Sequence, residues 1–123
     1  MIYDVVDAIV QQLNTISGLS FVRDAWNNKA PDNYGVVELT GQVGGIWADG
    51  HLIDQSFAVT VSLYVRDGSD TWVEMVQDVL DEYEDEYEYV YSMPQREYLQ
   101  DVNYVRWSWN LQLDGPLIRE DGD

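Results

Sequence analysis

The sequence has no cysteine, one lysine (Lys29), one histidine (His51) and three prolines in 123 residues. The lack of cysteine excludes disulfides, thiolate catalysis and cysteine-ligated zinc. Six basic residues stand against 23 acidic ones, for a formal net charge of −17. Direct binding to a phosphate backbone is therefore not expected, because that affinity comes from Lys and Arg neutralising phosphates. Anionic membrane surfaces are disfavoured for the same reason. No apolar run approaches the roughly 20 residues that span a bilayer. Residues 1–16 carry Asp4 and Asp7 and have no basic start, so they lack the pattern of a secretory signal. The expected setting is the cytoplasm, or a particle assembled there.

What is present suits a globular domain. Hydrophobic residues make up 46% of the chain, near the globular norm despite the charge. The length fits one domain, residues 1–115, with residues 116–123 as a C-terminal tail. Ile2, Val5, Val6, Ile9, Val10, Leu13 and Ile16 recur at helical spacing, which predicts an amphipathic helix stopping near Gly18. Short strands are expected over residues 21–26 and 34–40. Gly41, Gly44, Gly45 and the Asp49-Gly50 pair then signal a hairpin.

The second half is more strongly patterned. Phe57, Val59, Val61, Leu63 and Val65 alternate with Ala58, Thr60, Ser62, Tyr64 and Arg66, the mark of a half-buried strand. Thr71 and Glu74 have capping-box spacing, with Asp70 as a competing cap. One helix is expected from residue 71 to about Glu88, with Val73, Val76, Leu80, Tyr83 and Tyr87 on its stripe. A last strand element over residues 98–113 places Val105, Trp107, Trp109, Leu111 and Leu113 on one face. The expected fold is α+β: a two-layer sandwich of four or five mostly antiparallel strands, with two helices on one face and a polar face left open.

Chemistry-bearing patterns are weak. His51 lies near Asp54 and Ser56, but nothing supplies the strained strand-to-helix elbow of a Ser-His-Asp site. The glycines at 41–50 are not followed by Lys-Ser or Lys-Thr, so no phosphate loop is expected. Acids are abundant enough to make any carboxylate pair uninformative about glycoside chemistry. Asp78, Asp81, Glu82, Asp85, Glu86 and Glu88 lie off the helical stripe. They read as a solvated face, a charged contact with a basic neighbour, or a cation site that another subunit would have to complete. No EF-hand spacing occurs. The expectation is no catalytic, cofactor or metal residue. Candidate interface residues are Ile46, Trp47 and Leu52 on a glycine-hinged hairpin, and Asp78, Asp81, Glu82, Asp85 and Glu86 on the acidic face. Five Trp and nine Tyr suit core and interface alike.

The layout resembles the tail terminator, or tail completion, proteins of long-tailed phages and related tailed viruses. An opening helix like residues 2–16, a Gly-rich stretch like 41–50 leading into a long strand like 57–65, a second helix like 71–87 and a closing strand like 105–113 carry the likeness across nearly the whole chain. The resemblance implies a ring, typically a hexamer, that caps the tail tube and joins it to the head connector. DNA would pass through the ring without specific binding, and no catalytic residue is implied. Related neck, head-completion and minor capsid proteins share much of this plan. A reading of a different class is an acidic DNA mimic or immunity-type inhibitor binding a basic partner through residues 78–88. Six copies at −17 each repel at low salt, so salt or divalent ions are expected to favour assembly. The excess of Asp with a single Lys also resembles proteins of salt-loving organisms.

Overall fold

The computed structural model describes residues 2–26, 32–48, 51–66 and 71–114, with side chains for all of these except residues 2, 42–48, 51–55 and 114. The order is α1 (Ile2–Leu13), β1 (Phe21–Arg23), β2 (Tyr34–Ala48), β3 (His51–Val65), α2 (Thr71–Glu82), α3 (Glu84–Tyr87), β4 (Tyr89–Tyr91), β5 (Gln95–Leu99) and β6 (Tyr104–Asp114). The strands form one open sheet in the order β1-β2-β3-β6-β4, with β5 also pairing β6. All pairs are antiparallel except β1 with β2. This is the α+β architecture expected from the sequence.

The alternation in β3 and β6 sets the layers. Phe57, Val59, Val61, Leu63 and Val65 are buried on one face of β3, and Val105, Trp109, Leu111 and Leu113 on the same face of β6. Their register partners match face to face: Val61 opposes Trp109 and Val37, and Val59 opposes Leu111 and Leu39. Onto this face α1 lays Val6, Ile9 and Leu13, and α2 lays Val73, Val76 and Leu80. Trp109 is fully buried, while Trp107 packs half-buried against the same core.

Local contacts fix the edge beside α1. The chain leaves α1 through a turn that buries Ile16 and places Gly18 at φ 90°. The side chain of Asn14 then grips the first residue of β1. Its Oδ1 accepts from the Phe21 N–H at 2.6 Å, and its Nδ2 donates to the Phe21 carbonyl at 3.0 Å. Arg23 binds Asp7 of α1 at 3.0 and 3.1 Å and lies over the Tyr3 ring. Phe21 packs across Gly35, its register partner on β2. A Cβ at residue 35 would fall inside the Phe21 ring.

Four details differ from the sequence expectations. The first strand stops at Arg23, because Asp24 turns out of it at φ 69°. The expected helix over 71–88 breaks at Tyr83, giving three helical segments in place of two; it does end at Glu88, which is left-handed at φ 54°. The expected strand over 98–113 is a hairpin, with β5 running back along β6 through a turn at residues 100–103. Asn103 supplies the positive φ of 57° that this turn uses. The sixth strand arises because β4 and β5 follow one edge of β6 and are interrupted around Pro94, which cannot donate a ladder hydrogen bond. The tail at 116–123, the loop at 27–31, the capping residue Asp70 and the Asp49-Gly50 pair lie outside the described residues.

Tyr89, buried at the start of β4, ties that edge to α2. Its hydroxyl donates to the Leu80 carbonyl, one of the last-turn acceptors that a helix cannot satisfy internally. Burial foremost, then the nearby charges of Glu84 and others, pushes the Tyr89 phenol well above its usual value.

Two predictions follow from these packing contacts. Gly35→Ala loses about 1–3 kcal/mol of stability through overpacking against Phe21, read as a lowered denaturation midpoint; an unchanged midpoint would show that the ring does not lie across residue 35. For Tyr89 the folded pKa lies above the unfolded value of 10.0. Its stabilising contribution is therefore complete below about pH 10 and lost as pH rises through the folded value. Tyr89→Phe costs about 1 kcal/mol at neutral pH and makes stability fall less steeply above pH 10, measured by urea titration across that range.

Candidate functional site

The described residues offer three surfaces. The first is the hairpin. Pairing between β3 and β6 ends at Ser56 with Asp114, and β1 reaches β2 only at Gly35, Val36 and Val37. Beyond those points, residues 45–48 and 51–55 pair only with each other among the described residues. Ile46, Trp47 and Leu52 all lie on this two-stranded extension, with Trp47 opposite Leu52 and Ile46 opposite Asp54. Register shifts near Gly41, Gly44 and Trp47 break its ladder and give it bends of its own. His51, Asp54 and Ser56 follow one another along β3, with no elbow between strand and helix.

The second surface is acidic. Asp78, Asp81 and Glu82 of α2 and Asp85 and Glu86 of α3 are all exposed. Neither helix has a basic residue in its last turn. Asp81 accepts a hydrogen bond from the Tyr91 hydroxyl at 3.3 Å. Tyr83 and Tyr87 stack at 5.9 Å between centroids. Burial and the surrounding carboxylates raise the phenols of Tyr83 and Tyr91. Among the described residues, no three acids or histidines converge in a group that could hold a metal ion.

The third surface is the sheet face away from the helices. At one end Tyr34, Tyr64 and Tyr104 gather from β2, β3 and β6. Tyr34 stacks on Tyr64 at 4.8 Å, and Tyr104 meets Tyr34 edge-on at 5.7 Å. Trp26 closes the group against Tyr34 at 6.0 Å. Arg66 lies over the Tyr104 ring and donates to its hydroxyl at 3.2 Å. Desolvation raises the Tyr34 phenol. Beside this cluster Val36 is 8% exposed and the Ser62 side chain is fully buried, its Oγ without a hydrogen-bond partner among the described residues. Further along, Ala58, Val90, Ser92, Asn110 and Gln112 line a groove of about 410 Å³.

The sheet runs out to the β4–β5 edge. Val90, Met93, Tyr98 and Val102 are exposed there, the last three on or beside β5. Gln95, Arg96, Glu97, Arg106 and Ser108 line a hollow of about 380 Å³. Arg106 reaches Glu97 at 3.7 Å.

No protein-family model matches the chain, and no curated protein is significantly similar to it. No described helix is long and apolar enough to cross a membrane.

The structure thus places the expected hairpin residues together on one extension and the expected acids together on one exposed helical surface. Sequence reasoning missed the tyrosine cluster and the β5 edge. The cluster had a readable signal: Tyr64 and Tyr104 occupy the polar phase of their strands, where a solvated residue is the norm. The β5 edge had none, because its exposed residues show no period.

Asp78 is crowded by like charge. Glu74 and Glu82 lie four residues to either side of it on α2, and like charges at that spacing destabilise a helix by about 0.2–0.5 kcal/mol per pair. Asp78→Lys is expected to raise the melting temperature at low ionic strength, with the gain shrinking in about 1 M salt, where the screening length falls to about 3 Å. Equal gains at both salt concentrations would mean that the charge is not the cause.

Proposed function

We propose that this protein is a structural assembly subunit, and in particular a tail terminator whose copies form a ring that caps the tail tube of a tailed virus and joins it to the head connector. One observation carries the reading: a hairpin that continues past the sheet, with residues 45–48 and 51–55 paired only to each other among the described residues. An isolated two-stranded ribbon is marginal in water, so such an extension is expected to rest on a neighbour. The element order and the two-layer build agree with the family resemblance, and the net charge of −17 suits a lumen through which DNA slides without binding. Another neck or head-completion role has the same support from the hairpin.

The exposed acids of α2 and α3 favour one reading of a different class, an acidic mimic that occupies a basic nucleic-acid-binding protein. Native mass by light scattering separates the two. The assembly reading expects a discrete ring-sized oligomer at high protein concentration, favoured by molar salt with magnesium over low salt, because salt screens the repulsion between copies. A monomer in every condition, with tight binding to a basic partner in a pull-down, would replace that reading with the mimic.

A further inference from the structure

Arginine placement singles out one surface. Among the described residues, Arg23 faces Asp7 and Asp24, Arg66 faces Asp32, and Arg106 faces Glu97. Arg96 faces no carboxylate within ion-pair distance among the described residues; its guanidinium lies 5.9 Å from the Trp107 ring centroid. In a chain with 23 acids and six bases, an exposed cation left without an acid is the exception. It also sits among the exposed apolar side chains of the β4–β5 edge: Met93 is 70% exposed and Tyr98 56%. Arg, Tyr and Met are residue types enriched in protein interfaces.

We propose that this edge, with Arg96 as its charged anchor, docks head to tail on the α2 surface of a second copy of the same chain. Charge decides the occupant. A partner for Arg96 has to bring negative charge, and α2 presents it beside an apolar contact. Met75, Asp78 and Glu82 recur at spacings of three and four, so they lie on one face of α2. All three are exposed, Met75 at 43%. An apolar residue followed along one helix face by two carboxylates is the counterpart of Arg96 beside Met93 and Tyr98. The two surfaces are different patches of one chain, so the contact is heterologous. Each copy offers its edge to one neighbour and its helix to the other, and repetition closes a ring where the rotation permits. Register pairs Arg96 with Trp107 on the core-facing side of β5, whereas Gln95, Arg106 and Ser108 line a hollow on its other side. Glu97, already paired with Arg106, is the one acid in it. This inference rests on the reading of the chain as a self-assembling subunit and names the contact by which copies meet.

The test is sedimentation velocity on the full chain over a concentration series at about 0.15 M salt, where distant charges are screened beyond about 8 Å. Far-UV circular dichroism confirms that each variant is folded. Wild type is expected to self-associate. Arg96→Glu sets like charges against each other and is expected to weaken association about ten- to a hundredfold. Adding Asp78→Arg and Glu82→Arg to the Arg96→Glu chain reverses both sides and is expected to restore it. Association unchanged in Arg96→Glu would overturn this contact and leave the assembly reading standing. Loss without rescue would overturn α2 as the docking surface. A wild-type chain that stays monomeric at this salt and also in molar salt with magnesium would overturn both the contact and the assembly reading.

Discussion

The register of β3 is the constraint on which the rest of the domain depends. This strand is paired on both sides over its second half, with β2 and with β6. Its five inward side chains, from Phe57 to Val65, are at most 4% exposed. A slip of one residue would turn Thr60, Ser62 and Tyr64 into the core and the valines out to water. Because β6 alternates in the same phase, the two strands lock each other, and their shared face becomes the one surface able to receive the stripes of α1 and α2. The helices hold no layer of their own together; they are placed by the sheet.

The same constraint sorts the charge. With both helices on one face, their polar sides point outward and collect the acids of residues 78–86. The few arginines then act as fastenings at particular joints: Arg23 between α1 and β1, Arg66 over the tyrosine cluster, and Arg106 between β6 and β5. These pairs are partly exposed and individually weak, so their effect is to orient edges rather than to hold the fold. The open sheet face carries aromatic and small side chains with a few charges among them, Glu38, Arg66 and Arg106, in a molecule that is otherwise acidic.

Much of this was legible in the sequence where periodicity was strong. The stripe of α1, the alternation of β3 and β6 and the apolar side of α2 follow from spacing, and the helix end near Glu88 from Pro94 downstream. The misses share a physical reason. Residues 89–99 build an edge strand that pairs on one side, so half of its side chains answer to solvent and the apolar period vanishes. The turn at 100–103 contains no Gly or Pro and is made by Asn103 at positive φ, a weaker signal. The break at Tyr83 leaves the apolar spacing intact and so has no trace in the pattern. Of the candidate site, grouping along the chain was legible: Ile46, Trp47 and Leu52 in one hairpin, and the acids on one helical surface. The tyrosine cluster is assembled across three strands, Tyr34, Tyr64 and Tyr104, and depends on their register, which single-strand patterns do not encode.

The two ends of the sheet differ in kind, and that difference bears on assembly. Past Ser56, among the described residues, β3 pairs with β2 alone as a two-stranded ribbon. Where β3 ends at Val65, the sheet is closed by stacked rings and Arg66. A ribbon at one end, a tyrosine cluster at the other, acids on the helices and an apolar edge with Arg96 make four surfaces, no two of them alike. Isologous pairing needs a patch that complements itself, and an acidic face against its own copy does the reverse. Unlike surfaces on one chain favour contacts between different patches, repeated with a constant rotation. In the proposed ring, the long-range repulsion of copies at −17 each then opposes closure at low salt, while short contacts that exclude water at the β4–β5 edge are screened far less. Added salt removes more of the first than of the second, which is how a strongly acidic subunit can both depend on an arginine contact and assemble better in brine.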